Sequence, residues 1–375
     1  MNQADTPIIV GAGPVGLGAA LFLAAQGQAV RVVEMHDEPS RESRALAVNP
    51  RTLEILEPTG LSRQMLKLGK PIRGARFYRR EREVAVLPFA GAHPEYPFML
   101  ALSQAATERL LARAFESAGG MIERGKKLVD CRRVAGRIEA LMERSTGGPP
   151  EVVMCPWLLA ADGAHSTVRQ QLGIEFPGSS FAEAWHLADA PLKTTLSEDR
   201  AHVFFVENRA FLFMIRVVDP ELESRPGNPV WRVISNRPEP LSHLVLAEQA
   251  GPPVWNSSFH ISHRIVSTMA SGGVYLAGDA AHIHSPVGAR GMNLGLEDAW
   301  VFAKLVRENR LADYDRLRRP VDRRVVRKVE FLSRAASSES VLFRMGRKFF
   351  LPKITRVPFL RSRIIGTVMG LDHGL

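Results

Sequence analysis

The sequence contains little cysteine and no long apolar run, and both absences limit the class of protein. Its two cysteines, Cys131 and Cys155, have neither metal-binding nor redox spacing, which excludes a disulfide scaffold and a zinc ribbon. No apolar stretch is long enough to span a bilayer, and the first residues, MNQADTPIIVGAG, lack the basic start of a signal peptide. We therefore expect a cytoplasmic protein in a reducing compartment.

A broad basic surface is missing as well, although the formal net charge is +10. Residues 301–375 hold 18 Lys and Arg against 7 Asp and Glu, while the preceding 300 residues hold 31 against 32. The basic excess belongs to the C-terminal part, which argues against a nucleic-acid-binding protein and predicts a local patch. The 375 residues suffice for two domains or one large interleaved unit.

A glycine-rich turn stands between two apolar strands near the N-terminus. The stretch PIIV predicts a strand, GAGPVG matches G-x-G-x-x-G, and a helical run and a second strand follow. The first glycine permits a tight turn, the second allows close approach of a pyrophosphate, and the third lets the helix pack on the strand. An acid at the end of the second strand suits the ribose hydroxyls of NAD or FAD. We expect this dinucleotide to contact Gly11, Gly13, Val15, Gly16, Glu34 and Met35.

Two further apolar strands end in an Asp-Gly or Gly-Asp pair. WLLAADG places Asp162 and Gly163 at a strand end, and VYLAGD places Gly278 and Asp279 at another. The loop GARGMN then enters a helix, whose free N–H groups suit a polar or anionic ligand. These acids also fit ordinary helix N-caps, so that interpretation stays open here.

Two polar residues upstream stand just before or inside predicted helices. Arg44 precedes a helix-like stretch, and Gln104 lies in the first turn of an amphipathic helix. Each is a candidate ligand contact, and each also fits a solvated surface position.

In this order and spacing, these segments resemble the class A flavoprotein monooxygenases, the FAD-dependent aromatic hydroxylase family to which p-hydroxybenzoate hydroxylase belongs. The resemblance covers roughly residues 5–335. It implies an α/β fold in which a Rossmann-like FAD-binding domain is interleaved with a mainly antiparallel β-sheet substrate domain, followed by a C-terminal helical tail. It also implies non-covalent FAD, with NADPH or NADH as a transient co-substrate that has no Rossmann unit of its own.

The resemblance assigns roles to residues of the third motif. It implies that Asp279 holds a ribityl hydroxyl and that Pro286 lies beside the flavin ring. Backbone N–H groups of Gly291, Met292 and Asn293 are then expected to face flavin N1 and O2. Further FAD contacts are expected from Arg44, Gln104, Asp162, Gly163 and Gly278.

The loop also departs from the family pattern. The usual Gly-Gly-x-Gly reads Gly288-Ala-Arg290-Gly291, which puts an arginine close to where flavin and substrate meet. We name Pro286 and Arg290 as the candidate catalytic residues; a merely solvated Arg290 is the alternative. His282 and His284 are spaced like metal ligands on a strand, but the family commonly has a histidine at the first position without a metal, so no metal site is expected.

The resemblance predicts a discontinuous domain division. We assign residues 1–70, 101–178 and 268–335 to the FAD-binding domain, 71–100 and 179–267 to the substrate-binding sheet, and 336–375 to a helical basic tail. Candidate substrate contacts on the sheet are Phe213, Arg216 and Trp231, with plain core packing as the alternative. None of the four tyrosines lies within 179–267, so the tyrosine relay of p-hydroxybenzoate hydroxylase does not carry over.

The reaction implied by the resemblance is hydroxylation of a phenol-like or heteroaromatic ring with NAD(P)H and O₂ through a flavin C4a-hydroperoxide. The alternatives are a halogenase, whose W-x-W-x-I-P signature is missing, a flavin reductase of isoprenoids or quinones, and a non-catalytic flavoprotein. The many Phe residues on the substrate strands favour a lipophilic aromatic substrate.

The C-terminal stretch from Ser340 to Leu371 has seven basic residues and no acid, interspersed with bulky apolar ones. Such a segment suits weak contact with an anionic membrane, which would make the protein peripheral to the inner face of a membrane. Packing of a helical tail on its own domain is the other interpretation. Oligomeric state is not indicated.

Overall fold

The structure is a computed structural model that describes residues 6–39, 45–206, 211–223, 226–286, 288–337 and 357–374. The helices are α1 (Pro14–Ala24), α2 (Pro50–Leu56), α3 (Leu61–Leu68), α4 (Gln104–Ser117), α5 (Thr167–Gln171), α6 (Pro220–Glu223), α7 (Gly291–Arg307), α8 (Tyr314–Ser337) and α9 (Pro358–Met369). The strands are β1 (Ile8–Val10), β2 (Arg31–Val33), β3 (Ala47–Val48), β4 (Lys70–Ile72), β5 (Gly74–Arg79), β6 (Arg82–Pro88), β7 (Met99–Ala101), β8 (Ile122–Glu123), β9 (Lys126–Val134), β10 (Arg137–Arg144), β11 (Glu151–Cys155), β12 (Leu158–Ala160), β13 (Gly178–Thr194), β14 (Ala201–Phe205), β15 (Phe211–Arg216), β16 (Val230–Ser235), β17 (Ala247–Gln249), β18 (Trp255–Ile265), β19 (Ala270–Ser271), β20 (Val274–Leu276) and β21 (His282–Ile283).

A six-stranded sheet in the order β19-β20-β12-β1-β2-β8 carries the predicted dinucleotide motif. The central strand β1 runs parallel to both β2 and β12, with Ile9 in register with Val32 and Leu159. The strands β1, β12 and β20 are buried throughout, as is usual for parallel strands covered on both faces. The carboxyl ends of β1, β12 and β20 therefore lie side by side at one edge, where ligands of open α/β sheets bind.

A second, larger sheet has the order β21-β18-β13-β16-β15-β14-β5-β6, with β17 added on β13. Its pairings are antiparallel except for β14 with β5. Strands from residues 71–100 and from 179–267 thus share this sheet. Two smaller antiparallel sheets complete the fold, one of β3, β7 and β4 and the other of β9, β10 and β11. The predicted α/β fold with a mainly antiparallel second sheet is confirmed; the exact domain bounds stay a prediction.

Helices α1 and α7 pack closely because glycines remove side chains at their contact. A β-carbon on Gly18 would lie 2.5 Å from Leu296, and one on Gly295 would lie 2.5 Å from Val15. This contact brings the first motif against the helix that follows the third. Among the described residues, no helix combines the length and the apolar character needed to cross a bilayer.

Candidate functional site

Two of the three glycines in the β1–α1 turn, Gly11 and Gly16, cannot be replaced by another residue without a clash. Gly11 adopts φ +100°, and a β-carbon there would lie 2.4 Å from the Ala161 carbonyl oxygen. A β-carbon on Gly16 would lie only 1.9 Å from the Gly11 carbonyl oxygen. A β-carbon on Gly13, the N-cap of α1, would meet nothing within 4 Å. The space over Gly13 is therefore open at the start of a helix, where a pyrophosphate is favoured.

Glu34 closes this turn at the end of β2. Its carboxylate accepts hydrogen bonds from Ala12 N at 2.8 Å and from His36 N at 3.0 Å. A carboxylate has further lone pairs, so these bonds fix Glu34 without exhausting its capacity to accept ribose hydroxyls. Met35 follows with 52% of its side chain exposed, at the rim of the site.

The Asp162–Gly163 turn lies beside the first loop. Asp162 accepts a hydrogen bond from Val168 N through Oδ2 at 3.2 Å, while its buried Oδ1 has no partner among the described residues. Burial raises the pKa of this carboxyl group. A β-carbon on Gly163 would meet nothing within 4 Å, so the turn is open on that side.

Arg169 of α5 joins the second motif to the third. Its guanidinium donates to the Ala280 carbonyl at 3.0 Å and to the Ala164 carbonyl at 2.9 Å, and it lies 4.1 Å from the Phe176 ring centroid. Burial lowers the pKa of Arg169.

Gly278 and Asp279 begin a short 3₁₀ turn after β20. Gly278 has φ +58°, and a β-carbon there would lie 2.8 Å from Val15 of α1. Its N–H donates to Asp298 of α7 at 3.0 Å. The three predicted motifs therefore converge at one edge of the sheet.

The N-terminus of α7 is available to a ligand. Its N-cap, Arg290, supplies no side-chain cap, so the first backbone N–H groups at Gly291 and Met292 have no side-chain acceptor there. The Asn293 side chain is committed elsewhere: Oδ1 accepts from Asn49 N at 2.9 Å, and Nδ2 donates to the Ala289 carbonyl at 2.7 Å. Only the backbone of Asn293 can serve the predicted flavin contact.

Arg290 is buried, so the solvated interpretation of this residue is excluded. It is 1% exposed, and Nη1 donates to the Thr367 carbonyl at 2.8 Å and lies 3.5 Å from Asp372 Oδ1. Its Nε and Nη2 have no hydrogen-bond partner within the described part of the chain. Pro286, the other candidate catalytic residue, is exposed beside this loop.

Gln104, the first residue of α4, makes its hydrogen bonds at the other end of the site. Its Oε1 accepts from Ala45 N at 3.1 Å and its Nε2 donates to Glu108 at 2.8 Å. Gln104 thereby fixes the backbone that follows Arg44. Arg44 itself lies outside the described residues.

A buried ionic cluster behind the third motif was not predicted from the sequence. Asp298 accepts from His282 Nε2 at 2.7 Å and from Arg318 Nε at 2.8 Å, and Arg318 also binds Asp322 at 2.8 Å. Burial alone would lower the pKa of His282, but the charges of Asp298 and Asp322 raise it to about 9. His282, Asp298 and Asp322 could act as metal ligands by position, yet the Arg318 guanidinium already pairs with both carboxylates. The only sequence signal was the histidine after the Gly-Asp turn.

The three candidate substrate residues do not share a face of the large sheet, and their contact with a substrate stays a prediction. Phe213 and Ile215 point toward the α7 loop side, in a cluster that includes Ala289. Arg216 and Trp231 are register partners and lie on the opposite face. Trp231 is 1% exposed in the core there, and Arg216 donates to the Val230 carbonyl at 2.7 Å. Because side chains alternate along a strand, Phe213 and Arg216 point to opposite faces of the sheet.

These features fit FAD. The open space at Gly13 suits a pyrophosphate, the unpartnered Asp162 Oδ1 suits a hydroxyl donor, and the uncapped start of α7 suits the electron-rich end of a flavin ring.

Comparison with known proteins agrees with this site. The FAD binding domain family matches residues 5–329. The chain is 33% identical over 400 residues to 6-methylpretetramide 4-monooxygenase of Streptomyces rimosus, covering 100% of this chain and 70% of that enzyme. Anhydrotetracycline hydroxylase from Streptomyces rimosus has a similar structure, with a TM-score of 0.80 at 26% identity over 98% of this chain and 76% of that one. p-Nitrophenol 4-monooxygenase from Pseudomonas putida shares the fold, with a TM-score of 0.86 at 21% identity and full coverage of both chains.

The chain therefore belongs to the FAD binding domain family. Within that family it is a class A flavoprotein monooxygenase, an FAD-dependent aromatic hydroxylase. The predictions of family, enzyme class and FAD are confirmed, and the halogenase, reductase and non-catalytic alternatives are not favoured.

Proposed function

We propose that this enzyme hydroxylates a lipophilic, polycyclic phenolic ring, using NADPH or NADH as reductant and non-covalently bound FAD. The observation that carries the proposal is the convergence of three FAD motifs at one sheet edge, together with the packing of Ala289, in the loop before α7, against an apolar cluster of the large sheet that includes Ile215. Support for a polycyclic ring comes from relatives named for 6-methylpretetramide and anhydrotetracycline.

The chain's own residues bind and orient the reactants. The β1–α1 turn and Glu34 hold the adenosine and pyrophosphate end of FAD, while Asp162 and Asp279 hold its hydroxyl-bearing chain. The N-terminus of α7 stabilises negative charge at the ring by about 0.3–2 kcal/mol. When bound, FAD supplies the reduced flavin that activates O₂ for transfer of one oxygen atom to an electron-rich ring.

The large sheet supplies the opposite side of the reaction chamber. Phe213, which is only partly buried, presents apolar surface there, which favours an aromatic ring and excludes water from the reacting atoms. No described side chain of this sheet face has to move a proton if the substrate enters as a phenolate.

Isotope labelling of the product tests the proposal. Purified protein reconstituted with FAD is supplied with NADPH or NADH under ¹⁸O₂, with 1,8-dihydroxyanthraquinone and 4-hydroxybenzoate as polycyclic and small probes. We expect faster NAD(P)H oxidation with the polycyclic probe and one ¹⁸O in the product. A product without label contradicts monooxygenation, and a preference for 4-hydroxybenzoate contradicts the proposed substrate class.

A further inference from the structure

The C-terminal helix α9 reaches the candidate site from outside the family-matched region 5–329. Most of its exposed surface lies at its start, where Phe359 is 64% exposed. Its other end is buried: Ile365 is 5% exposed and Met369 is fully buried. The helix therefore packs with one end against the rest of the protein.

The buried end of α9 lies between the large sheet and the loop before α7. Ile365 and Met369 belong to the same apolar cluster as Ile215, and Phe213 and Ala289 pack against that cluster. A β-carbon on Gly288 would lie 3.8 Å from Val368 Cα, so the backbones of α9 and of this loop are in close contact. The sheet face and the loop are the two sides of the proposed reaction chamber, and α9 contacts both.

Polar contacts fasten the residues after α9 to the same loop. Asp372 binds Lys328 Nζ at 2.7 Å and approaches Arg290 Nη1 to 3.5 Å. His373 Nε2 lies 2.6 Å from Glu297 of α7. Lys328 is partly exposed, but the His373–Glu297 and Asp372–Arg290 pairs have little access to solvent, so their pairing is worth more than that of surface ion pairs.

Gly370 makes this close approach possible. It has φ +78°, and a β-carbon there would lie 2.4 Å from Asn49 Nδ2 and 3.2 Å from Arg290 Nη1. Asn49 Nδ2 and the Nε and Nη2 groups of Arg290 are all buried without a hydrogen-bond partner in the described residues. Unpaired buried donors are rare in proteins, and a cluster of them suits an oxygen acceptor of a ligand.

We propose that α9 forms a wall of the substrate chamber, that Met369 and Ile365 limit the size of the ring it accepts, and that Asp372 positions Arg290 toward a ligand oxygen. This inference rests on the proposed function, because it concerns the same chamber. In this role Met369 is a specificity-determining residue and Asp372 a positioning residue.

Exchange of Met369 for alanine tests the wall. The FAD-loaded Met369→Ala variant is compared with Phe359→Ala on the exposed part of the same helix, and with the volume-conserving Met369→Leu. Iodide quenching of flavin fluorescence measures access to the chamber and needs no substrate. The ratio of kcat/KM for 1,8-dihydroxyanthraquinone over 1-naphthol measures selectivity.

We expect Met369→Ala to raise the iodide quenching constant and to change the selectivity ratio by about tenfold or more toward the larger ring. Phe359→Ala and Met369→Leu should match the wild type. If Met369→Ala lowers only the thermal midpoint and leaves quenching at the wild-type value, α9 is a structural support and the proposal is overturned. Where neither phenol is turned over, the quenching comparison decides alone.

Exchange of Asp372 for asparagine tests the positioning of Arg290. Sulfite binds oxidised flavin more tightly when a positive charge is held beside the ring, and its affinity is read from bleaching of the flavin absorbance. We expect weaker sulfite binding in Asp372→Asn, recovery in Asp372→Glu, and no change in Asp313→Asn, whose carboxylate pairs only with surface arginines. Unchanged sulfite affinity in Asp372→Asn contradicts the positioning role. Wild-type protein that takes up no FAD overturns the proposed function as well, whereas FAD-bound variants that match the wild type overturn this inference alone.

Discussion

Removing the charge of Asp298 should destabilise the folded protein strongly, because this carboxylate compensates two buried cations. It accepts hydrogen bonds from His282 Nε2 at 2.7 Å, from Arg318 Nε at 2.8 Å and from Gly278 N at 3.0 Å. All three side chains of this group are almost inaccessible to solvent. Asp298→Asn keeps the shape of the side chain and leaves His282 and Arg318 with less compensation.

The magnitude follows from the pKa of His282, which stands at about 9 against an ordinary value of 6.5. That difference corresponds to roughly 3 kcal/mol of stability. Because the pKa is raised on folding, this contribution is complete below pH 6.5 and disappears as the pH rises through 9. Breaking a buried ion pair from one side typically costs about 3–5 kcal/mol, which agrees in size.

Urea unfolding of the FAD-free protein at pH 7 and pH 10 measures both effects. We expect Asp298→Asn to lose about 3–5 kcal/mol at pH 7 and clearly less at pH 10, where His282 is neutral in both proteins. Asp313→Asn, in an exposed cluster with Arg310 and Arg316, should behave like the wild type at either pH. A loss below about 1 kcal/mol at pH 7, or the same loss at both pH values, would refute the assignment of a charged His282–Asp298 pair.

Three further predictions concern the cofactor loops. Gly13→Ala should leave the melting temperature of the FAD-free protein unchanged but weaken FAD binding in a titration, because its β-carbon would enter open space. Gly16→Ala should instead unfold the domain, because its β-carbon would lie 1.9 Å from the Gly11 carbonyl oxygen. Asp162→Ala should weaken FAD binding by about 10- to 100-fold through loss of a charged hydrogen bond, without destabilising the FAD-free protein; unchanged affinity would contradict the assignment. Ala289→Gly should stabilise the protein by about 1–2 kcal/mol in urea unfolding, because Ala289 adopts φ +50°.

The cofactor half of the site could be predicted from the sequence because its signals are local. A tight turn and a strand end each require particular residue types within a few positions. The turn at Gly11 and Gly16 and the strand ends at Asp162 and Gly278 can therefore be recognised from short stretches of sequence.

The substrate half could not be predicted in the same way because both faces of the large sheet are apolar. Phe213 and Ile215 face the loop side, while Leu212 and Met214 are buried in a core on the other side. A strand with apolar residues on both faces carries no alternation of polarity to show which face meets a ligand. The assignment of Phe213, Arg216 and Trp231 to the substrate therefore stays a prediction.

The sequence of the tail allowed two interpretations. Its basic composition suggested a membrane contact, and the five basic residues of 344–356 lie outside the described residues. The described part packs on its own protein through Ile365 and Met369 and through the acid and histidine that follow. Two partners of Asp372, Lys328 and Arg290, lie 44 and 82 residues earlier in the chain, so no local sequence pattern indicates them.

The loop from Gly278 to Asn293, which we call the flavin loop, depends on such distant partners. Gly278, Gly288 and Ala289 have positive φ and little side-chain surface to pack, so the sequence of the loop does not fix its own conformation. Hydrogen bonds from α7 fix its conformation: Asp298 accepts from the Gly278 N–H, and the Asn293 side chain donates to the Ala289 carbonyl. A glycine-rich motif indicates the cofactor because the glycines leave space for it. The residues that hydrogen-bond to the motif fix the position of the flavin ring. Substitutions at these supporting positions should therefore alter the coupling of NAD(P)H oxidation to hydroxylation more readily than substitutions on the exposed surface.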